Sequence, residues 1–423
     1  MDICIIGLGY IGLPTAAMFA THGHNVLGID VNKKVVDALC QGKIIIEEPH
    51  LEEAVSKAVK QGSLRASTEP ENSDVFIICV PTPIMPDKTA DLTYVESGTR
   101  KILPYLKKGN MVILESTSPP GTTRDFVGDI LAKAGFVPGE DVHLAYCPER
   151  VLPGRILTEL KENNRIVGGV NEKSAQAVKE LYKCFVKGEI YTTEATTAEM
   201  CKLMENTYRD VNIALANELA ILCEKMGVNA WDVIKFANKH PRVNLHMPGP
   251  GVGGHCIAVD PWFIVEKQPK IAKIISLARV TNDGMPHYVF NRIKELTNDI
   301  KGKKKICVLG VTYKPNVDDM RESPIIELLG LLDDQGSFET VVVDKHANLG
   351  DSKEKDIYEA VSDSHLMVLA VNHEEFGDID FAKIKRAMKA PRVLDTRNFW
   401  DKEKVESAGL EYNLLGWGRS VYE

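Results

Sequence analysis

Short apolar runs recur through the first part of the chain, each ending in glycine, proline or a polar loop, with helix-period stretches between them. Ile3 to Ile6 leads into Gly7-Leu8-Gly9-Tyr10-Ile11-Gly12. Leu13 to Ala20 then carries helical spacing, and Asn25 to Ile29 forms a second run ending at Asp30. Val75 to Val80, Met111 to Leu114 and His143 to Cys147 continue the series. Runs that are apolar throughout suit strands covered on both faces, so the pattern predicts a parallel sheet wound on both sides by helices.

At Thr196 the pattern changes to one long helix. Thr196 with Glu199 forms a capping-box pattern, Met200, Leu203, Thr207, Val211, Leu215 and Leu222 trace an apolar stripe, and Gly227 ends it. Lys202, Asn206 and Arg209 stack on another face, which by itself reads as a solvated polar face. After the basic linker Lys301 to Lys305, Ile306 to Gly310 repeats the opening strand-to-glycine signal and Thr340 to Asp344 repeats the strand ending in acid; Met367 to Val371 and Arg392 to Asp395 add later strands. The expected fold is α/β: two Rossmann-like, doubly wound lobes joined by a long-helix dimerisation segment. The expected domains are 1–190, 191–300 and 301–423.

The chain has 423 residues, 44% hydrophobic and 26% charged, enough for two or three packed domains. No apolar run is long enough to cross a bilayer, the start lacks the basic flank of a signal peptide, and nine unpatterned cysteines suit a reducing compartment. These features predict a cytoplasmic protein. A net charge of −8 argues against nucleic acid as a partner while leaving room for a local basic pocket.

Gly7, Gly9 and Gly12 between a strand and a helix suit a dinucleotide: the backbone can approach a pyrophosphate whose charge faces the helix N-terminus. Asp30 would accept from the adenosine ribose hydroxyls and repel a 2′-phosphate, so NAD is expected rather than NADP. No such glycine cluster follows Gly310, so the second lobe is expected to hold a different nucleotide. The loops Pro81-Thr82-Pro83, Glu115 to Ser118 and Pro148-Glu149-Arg150 follow strand ends, where either site or scaffold chemistry fits.

The densest candidate chemistry runs from His246 to Pro261. Cys256 ends a loop containing Gly251, Gly253 and Gly254, beside His255, which could supply positive charge, with Asp260 one helical turn on. That inventory favours a nucleophile over a structural thiol. No Cys-x-x-Cys occurs, and one His beside one Cys is thin ligation, so no metal is expected.

Gly7 to Pro14, Val-Pro-Thr-Pro at Val80, Cys-Pro-Glu-Arg at Cys147, Lys202-x-x-x-Asn206, Gly-Gly-His-Cys at Gly253 and Tyr-Lys-Pro at Tyr313 occur in this order. Together they resemble the UDP-glucose/UDP-mannose dehydrogenase family over nearly the whole chain. Cys147 to Gly154 and the Cys256 stretch resemble its UDP-N-acetyl-D-mannosamine branch. The glucose branch tends to carry Gly-Gly-Ser-Cys-Phe. The UDP-N-acetyl-D-glucosamine branch usually has an acidic residue where Val151 and Leu152 stand.

The resemblance implies NAD contacts at Tyr10, Ile11, Asp30, Thr82, Thr117 and Arg321. It implies substrate contacts at Arg150, Val151, Lys202, Asn206, Arg209, His240, Arg242, Gly253, Tyr313, Lys314 and Arg419. It also implies oxidation at C6 of a UDP-N-acetylhexosamine by two NAD molecules in succession, a Cys256 thiohemiacetal and thioester between the two steps, and a homodimer in which Arg242 reaches the neighbouring site. Lys202 and Asn206 would handle the C6 oxygen. Asp260 or Glu149 would serve thioester hydrolysis, with Asp260 placed first because it travels with Cys256. The alternatives are a UDP-N-acetyl-D-glucosamine 6-dehydrogenase and a two-electron β-hydroxyacid dehydrogenase.

Overall fold

The computed structural model describes residues 1–46, 48–152, 154–347 and 356–418. They form two compact units: Met1–Glu205 with Trp262–Pro269, and Asn206–Pro261 with Lys270–Glu423.

The first unit holds an eight-stranded sheet. Its strands are β1 (Asp2–Ile6), β2 (Asn25–Ile29), β3 (Leu64–Ser67), β4 (Val75–Ile78), β5 (Met111–Leu114), β6 (His143–Tyr146), β7 (Arg165–Gly169) and β8 (Ile190–Glu194), in the order 3-2-1-4-5-6-7-8. The first six are mutually parallel in the dinucleotide-binding order. Strand period explains why every β1 residue from Ile3 on is apolar: Ile3 and Ile5 enter the core on one face, Cys4 and Ile6 the core on the other. Cys4 is the small hydrophobe expected, with burial pushing its thiol up to about 12. β7 pairs antiparallel with β6, Ala145 opposite Gly169 and Tyr146 opposite Gly168, and β8 runs parallel to β7. The reversal places the start of β7, at Arg165, on the edge where β4, β5 and β6 end.

The second unit carries β9 (Lys304–Leu309), β10 (Phe338–Val343), β11 (Leu366–Leu369), β12 (Arg392–Asp395) and β13 (Glu411–Leu414), all parallel, in the order 10-9-11-12-13. That is the other common doubly wound order, with its switch point between β9 and β11. Ile306 and Val308 face one core, Cys307 and Leu309 the other. The internal repeat extends to hydrogen bonds. Gly7 N–H donates to Ile29 and Leu8 N–H to the Asp30 carboxylate; Gly310 N–H donates to Val343 and Val311 N–H to the Asp344 carboxylate.

The long helix runs Ala195–Met226 and ends at Gly227, whose φ of 71° stops it. The capping-box expectation is corrected: Glu199 does not serve its own helix. Its buried carboxylate instead accepts from Gly121 N–H at 2.6 Å and from Thr123 N–H and hydroxyl, each at 2.7 Å. The stripe expectation is also corrected. Leu203 and Thr207 are buried, whereas Met200, Leu215 and Leu222 are exposed together with Met204, Tyr208 and Met226. At 100° per residue these six exposed apolar side chains share an arc of about 80°. The opposite arc carries Lys202, Asn206, Asp210 and Asn217, half-buried or fully buried. The helix is amphipathic in reverse, so its Lys202 face is not a solvated one. No described helix is long and apolar enough to cross a membrane.

Candidate functional site

In the first unit, the turn after β1 has the shape that an anionic ligand needs. Gly7 adopts φ 93°, and a side chain there would strike the Cys79 carbonyl. A side chain at Gly12 would strike the Gly7 carbonyl, so the helix Gly12–Thr21 packs directly on the turn. A side chain at Gly9 would meet nothing, which leaves its backbone open to a ligand. This helix has no side-chain cap and no acid in its first turn, so the positive end of its dipole faces the turn where a pyrophosphate would lie. Asp30 is held by Leu8 N–H at 3.0 Å and Asn32 N–H at 2.8 Å, which aims its carboxylate and leaves lone pairs for ribose hydroxyls. Tyr10 is exposed beside this turn, while Ile11 packs partly on the core. Thr82 and Thr117, from the loops after β4 and β5, are brought together: the Thr82 hydroxyl donates to the Thr117 carbonyl at 2.6 Å. These residues fit NAD.

The loop after β6 holds the candidates Glu149, Arg150 and Val151. One Glu149 oxygen accepts from Arg150 N–H at 2.7 Å and the other from Arg165 Nη2 at 2.7 Å. Arg150 turns its guanidinium to Glu205 at 2.6 Å. Val151 packs toward the core, and Leu152, 54% exposed, is the residue of that pair that offers an apolar surface. Lys202 is half-buried on the long helix, one turn before Asn206.

In the second unit, Cys256 is exposed at the end of its loop. Asp260 N–H donates to the Cys256 carbonyl at 2.8 Å, and the Asp260 carboxylate, 3% exposed, accepts from the Asn206 amide at 2.6 Å. The glycines of the loop do something other than clear an open wall: a side chain at Gly253 would strike the Glu322 carbonyl, and one at Gly254 would run into the Tyr313 ring. Their absence lets the loop lie flat against that ring, and Gly254 reaches φ 84° doing so. Burial raises the Tyr313 hydroxyl, reinforced by Asp319 and Cys256. Arg321 forks onto Asp319 and accepts Gly254 N–H at its carbonyl, which places it beside the cysteine loop. The expectation of charge at His255 is corrected: burial, then the Arg321 guanidinium, hold its imidazole below the usual range, so it is neutral at pH 7. Arg209, His240, Arg242 and Lys314 are exposed; Arg419 lies outside the described residues.

The sequence reading passed over several residues. Asn217, Asn282, Asp210 and Arg279 form a buried polar chain that reaches the loop at Gly249 N–H. Their signal was available in the helix spacing, since Asp210 and Asn217 extend the Lys202 and Asn206 face. Arg397 packs over Gly249 with its Nε on the Ala370 carbonyl, and burial lowers it to about 10. The Asp344 carboxylate is saturated by Val311 N–H, His346 N–H and His373 Nε2, so unlike Asp30 it is not free for a ribose. His346, His373 and Glu375 cluster beside it. Both His373 nitrogens are committed and its ring stacks on His346, an arrangement of hydrogen bonds rather than convergent ligation.

Three domain models of the UDP-glucose/GDP-mannose dehydrogenase family match the chain: the NAD binding domain at residues 1–186, the central domain at 196–284 and the UDP binding domain at 307–402. The chain belongs to this family. The family label pairs UDP-glucose with GDP-mannose, which corrects the second nucleotide named from the motifs. The UDP-N-acetyl-D-mannosamine dehydrogenase of Methanocaldococcus jannaschii is 48% identical, over 99% of this chain and 97% of that one. An NDP-N-acetyl-D-galactosaminuronic acid dehydrogenase of Ralstonia nicotianae is 46% identical, over 95% and 97%. The solved UDP-D-ManNAc dehydrogenase of Pyrococcus horikoshii superposes with a TM-score of 0.92 at 38% identity, covering 99% of this chain and 100% of that one. The family's chemistry therefore applies: this is an NAD-dependent dehydrogenase acting on a UDP-sugar, and its second lobe takes UDP, not a second NAD.

Proposed function

We propose that the protein oxidises C6 of UDP-N-acetyl-D-mannosamine to the carboxylate through a covalent Cys256 intermediate. The observation that carries the chemistry is the exposed Cys256 with the buried Asp260–Asn206 pair one turn beyond it. The relatives from Methanocaldococcus and Pyrococcus support the sugar. NAD, held by the turn from Gly7 to Gly12 and by Asp30, would supply the hydride acceptor for each of the two oxidations at C6. Lys202 takes and returns the proton of the C6 oxygen, and Asn206, oriented by Asp260, donates to that oxygen. After the first oxidation the Cys256 thiolate adds to the C6 aldehyde, forming a C–S bond and a thiohemiacetal. The second oxidation leaves a thioester, and water then releases the carboxylate and restores the thiol.

Asp260 is 3% exposed with its carboxylate on the Asn206 amide, whereas Glu149 stands half-buried on the loop beyond the end of β6, where a strand-end loop lines the ligand crevice. We therefore assign orientation to Asp260 and activation of water to Glu149. Tyr313, Lys314, Arg397 and Arg419 are the groups proposed for the UDP end, with Arg150, Arg209 and His240 around the sugar. The active unit is proposed to be a homodimer built on the exposed apolar arc of the long helix, with Arg242 lent to the neighbour.

The test is stoichiometric and competitive. Two NADH per UDP-N-acetyl-D-mannosamine are expected, with Cys256→Ala making no acid. A single NADH, or acid formation by Cys256→Ala at a near-normal rate, would reject the thioester route. Side-by-side kcat/KM with UDP-N-acetyl-D-glucosamine and UDP-N-acetyl-D-galactosamine decides the sugar, and the Ralstonia relative makes the last a necessary comparison.

A further inference from the structure

Behind the loop that carries Glu149 lies a buried cluster with two carboxyls and one guanidinium. Arg165, 5% exposed, reaches Glu149 at 2.7 Å through Nη2 and stands 3.6 Å from Glu115 through Nη1. Its position follows from topology: β7 is reversed, so its first residue lands at the edge where β5 is followed by Glu115 and β6 leads to Glu149. The guanidinium lies over the Tyr182 ring, 4.6 Å from its centroid, which fixes the plane of the fork. Glu115 is fully enclosed. Tyr182 hydroxyl donates to one oxygen; Cys79 thiol at 3.1 Å and Thr15 hydroxyl at 3.3 Å lie on the other.

We propose that Arg165 is a positioning residue that holds the Glu149 carboxylate in place, and that Glu115 is the proton-holding carboxyl of the cluster. This deepens the assignment of Glu149 to water activation and rests on it. One guanidinium balances one carboxylate, and a second anion here would be an unpaired buried charge. Arg165 makes its direct hydrogen bond to Glu149. Glu115, beyond hydrogen-bond distance of the guanidinium, takes the proton and can donate it in a hydrogen bond to Thr15 Oγ1 with that hydroxyl turned. Burial raises Glu115 more strongly than Arg165 lowers it. The other titratable groups facing the cluster stay neutral at working pH. Burial raises the Tyr182 hydroxyl and the Cys79 thiol far above their usual values, and the Cys147 thiol to about 12. With Glu115 protonated, Arg165 has one carboxylate to orient, that of Glu149. Glu149 can then take a proton from water while Arg165 holds its orientation.

The experiment follows single turnovers of the full-length enzyme with NAD and UDP-N-acetyl-D-mannosamine, reading first-hydride NADH and acid release separately from pH 5 to 9. Glu149→Gln comes first. If it leaves acid release unchanged, the assignment of Glu149 fails, and this proposal with it. If release is lost, Arg165→Gln is expected to move the acid limb of release up by about one unit or more and slow release at pH 7 at least tenfold. Loss of a neighbouring positive charge makes the carboxylate harder to ionise. First-hydride formation should change less than threefold, which a merely structural defect would not spare. Arg165→Lys should restore part of the limb. Glu115→Gln, which mimics the neutral acid, should leave the limb within about 0.3 unit. A limb unmoved in Arg165→Gln, or moved in Glu115→Gln by more than a unit, would overturn the proposal. Should Arg165→Gln not fold, Arg165→Lys and Glu115→Gln decide it, through a limb shift in the first and none in the second.

Discussion

The Asn206 amide donates to the buried Asp260 carboxylate at 2.6 Å, joining the long helix to the turn that begins at Cys256. The bond fixes which end of the Asn206 side chain is which: its NH2 is partly spent on Asp260, and its remaining N–H and its carbonyl point elsewhere. Replacing Asn206 by Ala removes a donor from a carboxylate that is 3% exposed. A lost partner of this kind costs about 1–3 kcal/mol. Asn206→Ala is expected to lower kcat by about a hundredfold with a smaller change in KM. Asn206→Asp should be worse still, because it sets two carboxylates against each other. Steady-state kinetics on the two variants check this, and equal activity of Asn206→Asp and the parent would reject the pairing as functional.

Cofactor choice is expected to depend on Asp30, whose carboxylate is aimed by two backbone amides rather than by a movable cation. NAD should be preferred over NADP in the parent enzyme. Asp30→Ala should narrow the preference from the NAD side first, by removing the ribose acceptor, and from the NADP side by removing the repulsion of a 2′-phosphate. Initial rates with both cofactors read this directly; comparable rates in the parent would contradict it.

Much of the first lobe was legible because its central strands are buried on both faces and read as unbroken apolar runs. β2, β5 and β12 begin and end where the pattern places them. β3, β8 and β13 were missed for the opposite reason: each lies at a sheet edge and is partly exposed, so its residues mix polar and apolar positions. β7 hid behind Arg165, a charge that a strand start does not advertise. Among the candidate site residues, the glycine loop marks Cys256 and Asp260 in the sequence, and helical spacing marks Lys202 with Asn206. The roles of Glu115, Arg165 and Glu199 were not legible. Each acts on a residue tens of positions away in sequence, and only the sheet order brings them together.

The Asp344 carboxyl makes the second lobe sensitive to acid. Burial by itself would raise it, yet the bonds from His373, Val311 and His346 outweigh burial and bring it to about 2. Its folded value lies below the unfolded value near 3.9, so its stabilisation is complete above about pH 4 and is lost as pH falls toward 2. That shift corresponds to about 2 kcal/mol. Urea unfolding of the parent and Asp344→Asn should therefore differ most at pH 5 and above, and the difference should shrink by about that amount by pH 2. A difference constant over this range would show that the carboxylate charge does not matter to the lobe.

The reversed amphipathicity of the long helix carries the prediction of assembly. Tyr208 is 58% exposed, Leu215 51%, Leu222 50% and Met226 72%. They form one stripe with Met200 and Met204, while the opposite face spends its polar groups inside the unit. A lone helix in water would place these faces the other way round, so the stripe is best explained by a second copy of the chain laid against it. The neighbouring helix Lys273–Asp283 repeats the pattern, burying Arg279 and Asn282 while exposing Ile274, Leu277 and Val280. Withdrawing a leucine from water contributes about 2 kcal/mol. Leu215→Glu with Leu222→Glu should therefore convert a dimer into monomers, measured by sedimentation, without lowering the protein's own helix content. Activity should fall with the dimer if Arg242 serves the neighbouring site. Mixing Arg242→Ala subunits with Cys256→Ala subunits should restore partial activity, because one site of each hybrid then has both residues intact. A double glutamate variant that stays dimeric would move the interface off this helix, and no recovery on mixing, despite subunit exchange, would reject the shared site.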